Sequence, residues 1–260
     1  MDRDHPIDFT GRAVLVTGGT QGIGAAIARA FLAAGAQVMV CGRRAPASTP
    51  SAGGREAVFR AADVRDPAAA GALVVATAEL FGHLDVLVNN AGGSPDADAA
   101  TASPRFVEKV VALNLLAPFY TAQAANLVMR EQPDGGSVTN IGSVSAHDPQ
   151  RGTAAYSAAK AGLLGLTRAL ALEWAPKVRV NHITAGPVRP PTSTARPDAE
   201  DAAAADVIPM RRQAEPDDIA RACLWLSSPL SRYVNGADLA VHGGGEIPAR
   251  QLARTLFSSS

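Results

Sequence analysis

The chain has 260 residues, 47% of them hydrophobic and 18% charged, enough apolar side chains to fill the core of one α/β domain. Its 24 basic residues balance 24 acidic ones, which leaves no large positive field to draw in nucleic acid or an anionic membrane. No stretch has the apolar length of a membrane span, and the start, Met1-Asp2-Arg3-Asp4-His5-Pro6, carries no apolar signal core, so a cytoplasmic protein without membrane or nucleic-acid partners is expected. Cys41 and Cys223 are too few for a disulfide framework and read as small core residues.

In chain order, the apolar run Ala13–Val16 reads as a strand. It leads into the glycine-rich turn Thr17-Gly18-Gly19-Thr20-Gln21-Gly22-Ile23-Gly24 and then an alanine-rich helix over 23–34. Gly18, Gly22 and Gly24 let the backbone approach a pyrophosphate, and the free N–H groups at the helix start favour its charge. Further strands are predicted at Gln37–Cys41, Ala57–Phe59, Leu84–Val88, Ser137–Ile141, Val178–Ile183 and Asp238–Val241, and helices at 67–81, 104–131, 153–175 and 216–227. Strands alternating with helices predict a Rossmann-like, doubly wound domain: one seven-stranded, mostly parallel sheet with helices on both faces, spanning 1–260. Residues 42–55 contain two prolines and three glycines, so that crossover is expected to be an irregular loop. Residues 186–206 lack a sustained apolar face and read as a substrate flap with one short helix at 198–206.

Tyr156 and Lys160 stand four apart in a helical segment and project from one face. A phenol is a poor acid or base near neutrality, and a neighbouring ammonium stabilises its phenolate. Ser143 follows the strand Val138-Thr139-Asn140-Ile141-Gly142, at a strand end where open α/β sheets place their sites. Its hydroxyl could hold a carbonyl or cap the loop. Asp63-Val64 fits a turn before Asp66-Pro67. Asn114 fits a kinked helix, because Pro118 frees the carbonyl of that residue from its helical bond.

Taken together, the TGxxxGxG turn, Asn89-Asn90-Ala91-Gly92, Asn114, Ser143, Tyr156 and Lys160 resemble the short-chain dehydrogenase/reductase family over nearly the whole chain. The resemblance implies a reversible alcohol/carbonyl oxidoreductase with a small-molecule substrate and no metal. Tyr156 would be the acid in reduction and the base in oxidation, and Ser143 would orient the carbonyl. Lys160 would lower the tyrosine pKa and bind the nicotinamide ribose, while Asn114 would hold a relay water. Gly18, Thr20, Gln21, Gly22, Ile23 and Gly24 would cradle the dinucleotide, with Asn90, Ala91 and Gly92 on the ribose side and Asp63 and Val64 at the adenine. Gly186 and Val188 would meet the nicotinamide. The resemblance also implies a homotetramer built through the long helices and the last strand.

The residue ending the second strand is Gly42 where an NAD enzyme carries an acid, and Arg43 and Arg44 follow. This predicts NADP(H) over NAD(H), with Arg43 on the extra phosphate. The chain departs from the family at Ala185, where a proline is usual, and at Pro190, where a threonine hydroxyl would stand; Thr192 or Ser193 could substitute. Two other readings remain at this stage: a 3-oxoacyl-thioester reductase serving a carrier protein, for which Arg211 and Arg212 would supply docking charge, and a nucleotide-binding regulator with little turnover.

Overall fold

A computed structural model describes residues 7–190 and 206–245. Its strands are β1 (Ala13–Thr17), β2 (Gln37–Gly42), β3 (Ser51–Ala52), β4 (Arg55–Glu56), β5 (Val58–Ala61), β6 (Val86–Asn89), β7 (Gly136–Ile141), β8 (Val178–Ala185) and β9 (Asp238–Val241). Seven of them form a sheet in the order β5-β2-β1-β6-β7-β8-β9, every pair parallel. Chain order runs outward from β1 in one direction and from β6 in the other, so the crevice between their carboxyl ends is the switch point at which such sheets bind ligands.

The helices are α1 (Gly22–Ala33), α2 (Pro67–Phe81), α3 (Pro104–Val111), α4 (Ala117–Met129), α5 (Ala154–Trp174) and α6 (Pro216–Ser227). Because successive strand residues point to opposite faces, the buried run Ala13–Thr17 feeds two cores. Val14 and Val16 pack with Ile27, Phe31, Ile219 and Cys223 on the α1/α6 side. Leu15 packs with Leu73, Met129 and Leu170 on the α2/α4/α5 side. Burial pushes the Cys41 thiol up to about 11 and raises that of Cys223 as well, in keeping with two core cysteines.

The helix expected over 104–131 is interrupted by a π turn at Ala112–Leu116. Pro118 has no N–H to offer the carbonyl of Asn114, and Ala117 N–H instead reaches back five residues to the carbonyl of Ala112. The crossover from β2 to β5 has no helix, as its composition foretold, and holds the small hairpin β3–β4 with Gly53 and Gly54 at its tip, both at positive φ. A buried polar ladder crosses the sheet between α4 and α5. Asn89 and Asn140 are register partners joined by a 2.9 Å hydrogen bond, and Thr121 on one side and Thr167 on the other extend the chain of bonds. Thr192, Ser193 and the expected helix at 198–206, but for its final residue, lie outside the described residues. The chain beyond them is anchored by the fully buried Ile208 and by Met210 N–H on the Gly243 carbonyl.

Candidate active site

The turn after β1 is shaped by close backbone contact. Gly18 adopts φ +63° and lies so near Ala91 that a Cβ would meet its Cα at 3.0 Å, and a Cβ on Gly24 would sit 2.3 Å from the Gly18 carbonyl oxygen. Asn90 closes the turn from β6 by donating its side-chain amide to the Thr17 and Gly18 carbonyls, while Thr17 Oγ1 accepts from the N–H groups of Asn90 and Ala91. At the start of α1, Gln21 offers no side-chain cap. The first N–H groups of a 12-residue helix therefore face the turn unclaimed by a capping side chain, the arrangement that suits a phosphate.

From this turn a groove of about 780 Å³ runs along the carboxyl ends of the strands. Thr20, Gln21, Gly22 and Ile23 line it beside Gly18 and Gly24, followed by Asn90, Ala91 and Gly92, with Tyr156 and Lys160 in the same cavity. Its other end carries Gly42, Arg43, Arg44, Asp63 and Val64. Gly42 is the last residue of β2 and offers no carboxylate. A dinucleotide fits this cavity on three counts: a cradle that a side chain would fill, an uncapped helix start, and cationic side chains where an adenosine phosphate would lie.

Tyr156 and Lys160 project from the first turns of α5, and the Lys160 ammonium lies 5.7 Å from the centre of the Tyr156 ring. Lys160 is buried and donates to the Ile141 carbonyl at 2.8 Å; burial lowers its pKa from 10.5 to about 8. The sequence assigned Tyr156 a lowered pKa, and the structure reverses that direction. Burial raises the phenol, and the Ser143 hydroxyl is the one group that pulls it down. Ser143 stands at the β7 exit, where its Oγ also accepts from Ser145 N–H and starts the short 3₁₀ turn Val144–Ala146.

Asn114 is fully buried inside the π turn. Its Oδ1 accepts from Gly93 N–H at 2.9 Å, and its Nδ2 donates to the carbonyls of Gly93 and Val110. A Cβ on Gly92 would stand 2.9 Å from Asn114 Oδ1 and 3.3 Å from Lys160 Nζ, so both groups face the bare side of one glycine.

Gly186 and Val188 are not brought into this groove; they lie at the end of β8, next to β9. Val188 bridges Ala214 through the peptide groups on either side of it, which keeps its own N–H and carbonyl out of that ladder. Asp63 lines the adenosine end with both carboxylate oxygens engaged by Arg65, whose side-chain bond, more than the nearby Arg43 charge, holds the carboxyl below its ordinary range. Arg65 is a third arginine in the groove that the sequence reading passed over, although its spacing of two from Asp63 was a usable sign. His182, buried on β8, was also missed. A Cβ on Gly142 would strike its ring at 2.0 Å, and nothing local marks that contact in the sequence.

A family model described as enoyl-(acyl carrier protein) reductase matches residues 18–246. A short-chain dehydrogenase/reductase of Aspergillus oryzae is 35% identical over 253 residues, covering 93% of this chain and 97% of its own. A D-threitol dehydrogenase of Mycolicibacterium smegmatis is 36% identical over 254 residues, 95% of this chain and 96% of that one. Among solved structures, the aldohexose dehydrogenase of Thermoplasma acidophilum superposes with a TM-score of 0.84 at 27% identity, covering 91% of this chain and 94% of its own. With this match in sequence and sheet order, the chain belongs to the short-chain dehydrogenase/reductase family and is an NAD(P)-dependent oxidoreductase acting on CH–OH and C=O groups.

Proposed function

We propose that the chain interconverts a secondary alcohol and its ketone with NADP(H) as the preferred cofactor and Tyr156 as the acid/base. The carrying observation is that Tyr156 and Lys160 share one groove with the glycine turn at its middle and Arg43 and Arg44 at its end. A nicotinamide held in the groove would take or supply the hydride; Tyr156 takes the alcohol's hydroxyl proton in oxidation and returns a proton to the carbonyl oxygen in reduction. Ser143 holds the substrate oxygen beside the phenol. Lys160, which donates to Ile141, would also hold the cofactor ribose, and Asn114 would hold a relay water over Gly92. Asp63 and Val64 bound the adenine.

A phenol raised by burial is protonated at neutral pH, which is the form that donates in ketone reduction. Reduction should therefore be flat near neutrality and fall in alkali, whereas oxidation should climb with pH as the phenolate forms. Tyr156→Phe is the direct test: turnover should drop on the order of a hundredfold or more while NADPH binding persists. Undiminished turnover excludes Tyr156 as the acid.

Arg43, flanked by no carboxylate at Gly42, supports the phosphate-bearing cofactor. The carrier-protein reading draws no support from Arg211 and Arg212. Arg212 is bound to Asp218 at 2.6 Å, and Arg211 donates to the Asp206 carbonyl. A homotetramer is supported by the apolar Leu127 and Leu172, 54% and 83% exposed on α4 and α5, and sedimentation velocity would test it.

A further inference from the structure

A second cavity, of about 270 Å³, exceeds the ~150 Å³ void that accepts a benzene ring. Gly142 lines the groove and Val144 lines this cavity, so Ser143 stands between the two. Its apolar walls are Val144, Pro187 and Ala240, and its polar ones His147, Asp148 and His242.

Asp238 and Thr184 line the cavity as well, and there a single carboxylate organises three donors. Asp238 Oδ1 accepts from Thr184 Oγ1 at 2.7 Å and faces His182 Nδ1 at 2.8 Å, while Oδ2 faces His147 Nε2 at 2.9 Å. Burial alone would raise the Asp238 carboxyl, but these donors hold it below its ordinary range. His182 is buried and, chiefly through desolvation, held below its ordinary pKa, so the ring is neutral near pH 7. An ionised carboxylate accepts only, so each ring nitrogen facing it carries the proton. In the neutral ring the proton of His147 then sits on Nε2 and Nδ1 is an acceptor, with no hydrogen-bond partner among the described residues. His242 Nδ1, on the same wall, is buried and likewise unpartnered.

We propose that this cavity is a substrate subsite in which His147 Nδ1 accepts a hydrogen bond from a second, distal hydroxyl of the alcohol. The inference rests on the oxidoreductase reading for placing the reacting carbon at Ser143 and Tyr156. Asp148 and Asp238 repel a carboxylate in that position, and an acceptor at Nδ1 calls for a donor, which on the alcohol reading is a second O–H. Strands lie about 4.8 Å apart, so Asp238 on β9 is roughly 10 Å from the strand that presents Ser143. The hydroxyl recognised therefore belongs several bonds from the reacting carbon, not beside it.

The test compares 1,5-hexanediol with 2-hexanol, which share chain and secondary carbinol and differ in one terminal hydroxyl. In His147→Phe the ratio of kcat/KM for the diol to that for 2-hexanol should fall tenfold or more. His147→Lys should fall alike, because its ammonium can keep the bond to Asp238 but offers no acceptor; rescue by Lys would mean a structural latch and overturn the subsite. In the wild-type protein the imidazole ¹⁵N resonance of His147 Nδ1 should move with the diol and not with 2-hexanol. If 2-hexanol is turned over, an unchanged ratio or a silent ring overturns the inference. If neither alcohol is turned over, the resonance decides alone: a ring that answers the diol keeps the subsite and removes the redox reading, and a silent ring removes the subsite.

Discussion

The two ends of the sheet build their cavities by different means. At β1, β2 and β6 the groove is made from backbone and the absence of side chains: Gly18 against Ala91, Gly24 against the Gly18 carbonyl, and Gly42 where an acid would stand. At β8 and β9 the cavity is made from side chains that would be costly alone, with three donors gathered on the Asp238 carboxylate. The first device admits a ligand by shape and free N–H groups. The second admits one by the hydrogen bond that a network has left unmade. A cavity of the first kind tolerates no added atom, whereas a cavity of the second kind is changed by moving one proton.

The sharpest break of that contrast is Gly24→Ala. A Cβ 2.3 Å from a carbonyl oxygen forces the turn open, and NADPH affinity should fall by about two orders of magnitude, about 3 kcal/mol. Fluorescence titration checks it, and binding within threefold of wild type would show that the turn has slack. Next comes Lys160→Met. Lys160 is charged in both states below pH 8 but loses its proton in the fold at about 8, against 10.5 in the unfolded chain. The unfolded state then binds more protons between those values, so wild-type stability rises with pH across that window, by about 3 kcal/mol at most. The variant has no such gain, and the melting temperature of wild type minus that of the variant should grow by roughly 5–10 °C from pH 7 to 10. A pH-independent difference would mean that the buried amine keeps its ordinary pKa and stays charged in the fold across that range. The smallest effect is expected at Arg43→Ala, where NADP(H) should weaken about tenfold more than NAD(H), about 1.4 kcal/mol. Equal weakening would assign the guanidinium to adenine stacking.

The same contrast explains what could be read from residue order. The glycine turn, the strand runs and the i, i+4 pair of Tyr156 and Lys160 are local, and the structure gathers them in one groove. Apolar periodicity set the strands to within two residues at most ends; β1 and β8 run on into Thr17 and Ala185 because those residues still pair in parallel register. The π turn escaped because 104–131 reads as one helix until the missing N–H of Pro118 is followed to its geometric end. The direction of the Tyr156 shift escaped because desolvation depends on what covers a ring, which spacing does not carry. His147 and His182 meet Asp238 across 91 and 56 residues, and only the pairing of β8 with β9 brings them together.

The amide pair at the centre of the sheet bears on how the chain finds its own alignment. The rest of β6 is valine and leucine, and β7 adds only Val138 and Ile141 as large apolar side chains, so apolar packing alone does little to oppose a slip of two residues. Asn89 and Asn140 do not tolerate that slip, because each would leave a buried amide unmatched at a cost of about 1–3 kcal/mol. The pair thus works as a proofreading mark for strand alignment, set between two helices whose Thr121 and Thr167 hydrogen-bond to it. Replacing both asparagines with leucine tests this: additional slow refolding phases at preserved stability are the expected signature, and a single unchanged phase would deny the pair that duty.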